Sequence, residues 1–183
     1  MESVASSRVV VVRSPAVWTA AGALDPAVVA RMFVRGFLEL ADEREEARAA
    51  AALFRPGDRV GIKVNTIGGK AISTRPEVAH ALAGCLVRGG VAAKDIVIWD
   101  RTTRELRDAG YAVNTGRSGV RVYGTDAAGA GYESEPLSHL DVGSLFSRIL
   151  TETVTASISL AILKDHGLAG VTAGMKNYFG AIH

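Results

Sequence analysis

Three polar clusters hold the side chains of this sequence that could do chemistry, and each follows an apolar run. Lys63 and Asn65 close the run at residues 60–64. Asp100, Arg101 and Arg104 follow residues 96–99, and Lys164, Asp165 and His166 follow residues 158–163. The third cluster opens the richest stretch of the chain. Residues 164–183 gather two lysines, two histidines, one aspartate and four glycines. A packed core has no use for that mixture. Lys, His and Asp supply charge, proton transfer and metal ligation, and glycine lets backbone come close to a ligand.

Each residue carries its own reading. Lys63 lies inside a strand pattern, so it is either buried with a partner or ligand, or it faces water on a one-sided sheet. Asn65 serves a ligand or shapes a turn. Asp100 is a catalytic candidate or a helix cap. Arg101 and Arg104, three apart, suit the grip of a carboxylate or phosphate, or pair with Glu105 and Asp108. His166 is a proton carrier or a divalent-metal ligand, flanked by Lys164. Lys176 reads as a cationic or covalent anchor, with Asn177 as its orienter. A helix starting near Thr172 would turn free N–H groups towards an anion. His80 sits in an Ala/Leu helical pattern and reads as a surface or satisfied helical residue. His139 carries no signal.

The elements that must position these groups follow from pattern. Four valines at 9–12 read as a strand covered on both faces. Asp25-Pro26 reads as a cap and first helical residue. Val29, Phe33, Phe37 and Leu40 then give helical spacing within a helix drawn from 27 to about 54. Residues 60–64 form the next strand, and Arg75-Pro76 opens a helix that Gly89-Gly90 ends. Residues 96–99 are a strand, 102–109 a short helix and 120–123 a strand. Residues 124–147 read as a long loop, 158–163 as the last strand, and 172–179 as a helix. This rhythm predicts one α/β domain over 1–183, with a mostly parallel sheet and helices on both faces. The layering is Rossmann-like without a dinucleotide fingerprint, since no G-x-G-x-x-G or P-loop spacing occurs. Parallel strands share a C-terminal edge, so the three polar clusters should meet there.

Composition bounds the partners. A net charge of +2, with bases interleaved among acids as in residues 42–46, gives no footprint for nucleic acid. No apolar run is long enough for a membrane span, and the N-terminus lacks a signal-peptide pattern. A cytoplasmic protein is therefore expected. One cysteine, Cys85, excludes an internal disulfide and a four-cysteine iron–sulfur cluster within this chain, and it reads as a small core residue.

Taken together, Gly57-Asp58-Arg59-Val60-Gly61-Ile62-Lys63-Val64-Asn65, Ile98-Trp99-Asp100-Arg101 with Glu105-Leu106 and Ala109-Gly110-Tyr111, and Lys164-Asp165-His166 through Met175-Lys176-Asn177-Tyr178-Phe179-Gly180 resemble the family catalogued as domain of unknown function 362. The resemblance covers most of the chain. It supplies no function, although members are often called iron–sulfur proteins, some with a ferredoxin-like extension or an export signal. Neither is expected of this chain. Members usually continue past the Lys-Asn motif, which implies a chain cut short at its C-terminus relative to the family, and a site completed by further residues. The segment from His166 to Lys176 is also similar, more remotely, to the nickel-pincer lactate racemases. That likeness implies a histidine on nickel and a lysine holding a pyridinium-derived cofactor. It further implies a phosphate-holding Asp-x-Thr-Arg cluster, which Asp100 to Arg104 approaches with one residue too many.

The expected function is an enzyme acting on a small anionic organic substrate or a phosphate-bearing cofactor. Its reaction is open between redox and proton transfer, oxidoreductase or racemase/isomerase. The alternative is a non-catalytic anion- or metal-binding module, one half of a two-part assembly. Apolar surface near Ile182 is expected to be covered by a homo-oligomer partner, a complementary chain or further residues.

Overall fold

The computed structural model describes residues 7–183. Four strands form one sheet: β1 (Val60–Val64), β2 (Ile96–Asp100), β3 (Arg121–Gly124) and, after two intervening short strands, β6 (Ala156–Leu160). Their order is β3-β2-β1-β6 and every pairing is parallel. The register is continuous: Lys63 faces Trp99 on one side and Ser159 on the other, and Asp100 faces Gly124.

Alternation along the strands divides the core. Val60, Ile62, Val64, Ile96, Ile98 and Val122 point to one face. There they meet α3 (Pro76–Arg88) and α4 (Thr103–Asp108), with α1 (Pro26–Ala41) and α2 (Glu46–Leu53) packed on α3. Val97, Trp99 and Tyr123 point to the other face, against Ile149, Val154 and Ala181. This second face is covered by short helical turns, Ile149–Thr153 and Tyr178–Ala181, where the first face has long helices.

Local chemistry explains the helix ends. The Asp25 carboxylate accepts from the Ala27 and Val28 N–H groups at the start of α1, with Pro26 at the first helical position. Thr102 caps α4 through the Glu105 N–H. The helix drawn unbroken from 27 to 54 divides instead at Asp42, whose φ of 59° and ψ of 40° end α1 before α2 starts at Glu46. An Asp tolerates that left-handed turn better than its neighbours do.

Other expectations are corrected. Residues 9–12 are extended but join no sheet, and Val9 and Val11 are exposed. They run beside α1, where Val12 packs on Gly36 and Arg8 donates to the Glu39 carbonyl. The last sheet strand ends at Leu160, earlier than residue 163, and the segment at 124–147 contains an exposed hairpin, β4 (Leu137–His139) and β5 (Val142–Ser144). The third polar cluster is itself a strand. β7 (Lys164–His166) pairs antiparallel with β8 (Gly170–Thr172), and Gly170 takes φ +71° at the turn. The final helix is one turn, α5 (Gly174–Asn177), so it supplies no extended array of free N–H groups.

Chain direction fixes where a ligand site belongs. The chain leaves β1 for α3 on one face. It leaves β6 for the β7–β8 hairpin and α5 on the other, where Ser159 Oγ donates to the Gly174 carbonyl at 2.8 Å. Neighbouring strands whose connections diverge open a crevice at their C-terminal ends. Here that crevice lies between β1 and β6.

Candidate functional site

A cleft of about 920 Å³ opens at that edge. It is lined by all three polar clusters: Lys63 and Asn65, Asp100 and Arg101, and Lys164 with His166. Lys176 and Asn177 also line it, whereas Arg104 is exposed on α4 and stands outside.

The floor is a buried ion pair. Lys63 is 1 % exposed and its Nζ donates to Asp100 Oδ1 at 2.5 Å and to the Val64 carbonyl at 2.9 Å. Asn177 Oδ1, at 3.5 Å, is the third acceptor. The ammonium therefore has an acceptor for each of its three hydrogens, and it lies 5.5 Å from the centre of the Trp99 ring. Burial pushes the Lys63 pKa below its ordinary value, against the attraction of the Asp100 carboxylate. Asp100 is equally engaged. Oδ1 also accepts from the Arg101 N–H at 2.8 Å, and Oδ2 accepts from Thr66 N and Oγ1 at 2.7 and 2.6 Å.

Asn177 closes the floor from above. Its Nδ2 donates to the Lys63 carbonyl at 2.7 Å and to Ser159 Oγ at 3.2 Å, so it orients Lys63. Gly180 sits over the pair. A Cβ there would lie 3.1 Å from Asp100 Oδ1 and 3.2 Å from Lys63 Nζ, so a side chain would press on the ion pair. The Lys-Asn-Tyr-Phe-Gly motif thus packs onto Lys63 of β1 and Asp100 of β2, both far earlier in the chain.

The walls differ in charge balance. Arg101 pairs with Glu105 one helical turn on, and that carboxylate raises the guanidinium pKa. Lys164 and Lys176 have no carboxylate partner among the described residues. Lys164 Nζ donates to Asn65 Oδ1 at 2.7 Å and to the Ile67 carbonyl at 3.4 Å. Lys176 Nζ reaches only Thr172 Oγ1, at 3.5 Å. The hairpin register brings these groups together. Lys164 pairs with Thr172 and His166 with Gly170, so Lys164, His166 and Thr172 share one face. Partial burial lowers the Lys164 pKa. The Asp100 carboxylate opposes that shift and the Lys176 ammonium reinforces it.

His166 has a defined tautomer when neutral. Its Nδ1 accepts from the Leu168 and Ala169 N–H groups at 3.2 and 3.1 Å, leaving the ring hydrogen on Nε2. A histidine that ligates a metal through Nε2 normally donates from Nδ1, the reverse of this arrangement. Among the described residues no three His, Cys, Asp or Glu side chains stand together as a metal site would need. Nor do the donors fit an iron–sulfur cluster. Cys85 is buried in α3, where burial and Glu46 push its thiol up to about 11. His80, on the exposed side of α3, and His139, on β4, lie outside the cleft.

Several lining or supporting residues were not named as site residues from the sequence: Ser159, Thr172, Tyr132, Gly180 and His183. Thr66, which follows Asn65 in the first polar cluster, supports the floor through Asp100.

The sequence model of the family described as Domain of unknown function (DUF362) matches residues 60–183. This chain belongs to that family. The matched segment begins at the first residue of β1, so it takes in the whole sheet, the cleft and both of its unpaired lysines. No curated protein and no solved structure matches the chain. The DUF362 membership thus rests on the segment that builds the cleft, and α1 and α2 lie outside the match. No helix among the described residues is long and apolar enough to cross a membrane.

Proposed function

We propose that the cleft binds a small organic anion between Lys164 and Lys176, and that the protein is an enzyme in which His166 transfers a proton to or from it. One observation carries this reading: of the four cations lining the cleft, Lys63 and Arg101 have carboxylate partners and the other two do not. An uncompensated pair of ammonium groups facing a concave site calls for an anion. A carboxylate and a phosphate satisfy the same pair, so a phosphate-bearing cofactor is held by the same residues. His166 offers the cleft an Nε2–H that has no protein partner among the described residues. Accepting a proton at Nε2 requires the Leu168 and Ala169 N–H contacts to Nδ1 to open, so the proton step includes a movement of the turn at residues 167–169. Lys176 is read as an ionic anchor, and Asn65 as the group that orients Lys164.

Calorimetric titration with inorganic phosphate and with malonate tests the binding. Lys164→Met and Lys176→Met should each weaken affinity by roughly tenfold to a hundredfold, the equivalent of losing a hydrogen bond to a charged group. Lys176→Arg should keep most of it. Affinity should fall as salt rises. Equal binding by wild type and the double methionine variant would refute the anion site. The catalytic half is tested by α-proton exchange of bound carboxylates in D₂O, followed by NMR. His166→Ala should stop exchange and spare binding; exchange unaffected by His166→Ala would leave a binding module.

A further inference from the structure

We infer that Lys164 is a nucleophilic amine that forms an imine with a carbonyl group on the bound anion, which makes 2-oxo acids the substrate class. The inference rests on the anion-binding reading above and goes beyond it. Three observations on different levels lead to it.

The first is the choice of cation. The sequence has sixteen arginines and only five lysines, Lys63, Lys70, Lys94, Lys164 and Lys176. Three of those five line the cleft. Where only charge is needed, this chain uses arginine, whose fork also grips carboxylate better. An amine differs from a guanidinium in one respect that matters here: it can lose its proton and attack carbon.

The second is hydrogen-bond geometry. Lys63 has three acceptors and is a permanent part of the floor. Lys164 has two, Asn65 Oδ1 and the Ile67 carbonyl. A neutral amine has two hydrogens and one lone pair. The two acceptors take the hydrogens, and the third tetrahedral direction has no protein partner among the described residues.

The third is the surroundings. Partial burial disfavours the Lys164 ammonium, the Asp100 carboxylate opposes that from a distance, and the Lys176 ammonium reinforces it. No carboxylate among the described residues pairs with Lys164 directly. A neighbouring cation and desolvation are the two means by which a lysine becomes a nucleophile near neutral pH.

The step balances without any further reactant. The Lys164 ammonium first gives one proton to solvent; its lone pair then forms an N–C bond to the carbonyl carbon, and the C=O π pair takes a proton. The carbinolamine then loses its oxygen as water, which carries away both amine hydrogens and leaves a neutral C=N bond. Nothing is oxidised or reduced. Solvent water carries the proton from nitrogen to oxygen, and His166, which shares the hairpin face with Lys164, offers its Nε2–H as a hydrogen-bond donor to the carbonyl oxygen. Lys176 holds the carboxylate.

Reductive trapping tests this. The protein is incubated with pyruvate, glyoxylate or 2-oxoglutarate and cyanoborohydride, and adducts are located by intact and peptide mass spectrometry. The expected result is one N-carboxyalkyl group on Lys164 from at least one probe, with phosphate slowing trapping. Lys164→Arg and Lys164→Met should abolish that adduct, and Lys176→Met should slow it at least tenfold. No Lys164 adduct from any probe, while phosphate still binds the cleft, overturns the imine and leaves the anion site standing. Adducts spread equally over Lys70, Lys94 and Lys164, and unaffected by phosphate, overturn it as well. Failure of phosphate binding itself overturns the reading on which the inference rests.

Discussion

Asp100→Asn should be among the most damaging isosteric changes in this protein, and its cost should shrink as pH rises. The substitution keeps shape and removes the charge opposite Lys63. Asp100 accepts four hydrogen bonds, from Lys63 Nζ, the Arg101 N–H, and Thr66 N and Oγ1. An asparagine turned with its NH₂ towards Thr66 can let the hydroxyl rotate to accept, but the Thr66 N–H then loses its acceptor. Turned the other way, the NH₂ meets the Lys63 ammonium. Both arrangements leave a buried ammonium without a counter-charge, and breaking one side of such a pair costs about 3–5 kcal/mol. Lys63→Met should cost less, since Asp100 keeps three of its four donors. The pH dependence has a definite sign. The folded pKa of Lys63 is below its ordinary 10.5, so the unfolded chain binds more protons between the two values and stability rises with pH across that window. Without Asp100 the folded pKa falls further and the window widens downwards. Urea unfolding at pH 7 and pH 9, followed by circular dichroism, should therefore show a smaller penalty for Asp100→Asn at the higher pH. A penalty below about 1 kcal/mol at pH 7, or one that grows with pH, would refute the reasoning, because that figure is what exposed pairs give.

Gly124→Ala should lower stability by about 3 kcal/mol, the upper end of overpacking costs, because its Cβ would lie 2.2 Å from the Thr103 nitrogen and 2.4 Å from the Thr102 carbonyl carbon, both backbone atoms. Thermal unfolding should show a drop of several degrees; an unchanged midpoint would mean that the β3–α4 junction is looser than the geometry requires. Asn177→Ala should cost roughly 1–3 kcal/mol by leaving the buried Lys63 carbonyl without its side-chain donor. Asn177→Asp, which replaces that donor with an acceptor, should cost more, and the ranking is read from the same denaturation curves.

The sheet was legible because its strands are short β-branched runs punctuated by caps and glycines, as at residues 60–64 and 96–100. The same signal misled at residues 9–12. Four valines have the same local preference whether or not a partner strand exists, and only the fold shows that no strand among the described residues pairs with them. The β7–β8 hairpin was missed for the opposite reason, since three residues per strand are too few to show alternation. The buried lysine was legible at Lys63, because an ammonium in an apolar strand needs a partner. That the partner is Asp100 follows only from β1 lying beside β2. Arg101 and Arg104 looked equivalent in sequence. Helical spacing gave Arg101 to Glu105, and the direction of α4 left Arg104 outside the cleft.

The distribution of charge divides the cleft into two parts with different origins. The floor is made by the sheet: Lys63 and Asp100 neutralise each other, every hydrogen is assigned, and Gly180 allows no added atom without pressure on the pair. Nothing there calls for a ligand. The wall is made by the hairpin and α5, where Lys164 and Lys176 bring two charges that the protein does not balance. Leu168, 96 % exposed, stands on the same wall with little packed around it. Side chains held this lightly contribute little to stability, so the wall is free to serve binding. Substitutions in the floor should therefore appear as unfolding, and substitutions at Lys164, His166 and Lys176 as lost affinity or exchange in a protein that melts normally. That separation is itself a test: a Lys164→Met variant that unfolds as readily as Asp100→Asn would make Lys164 part of the frame, and the cleft would then lose its case for a ligand.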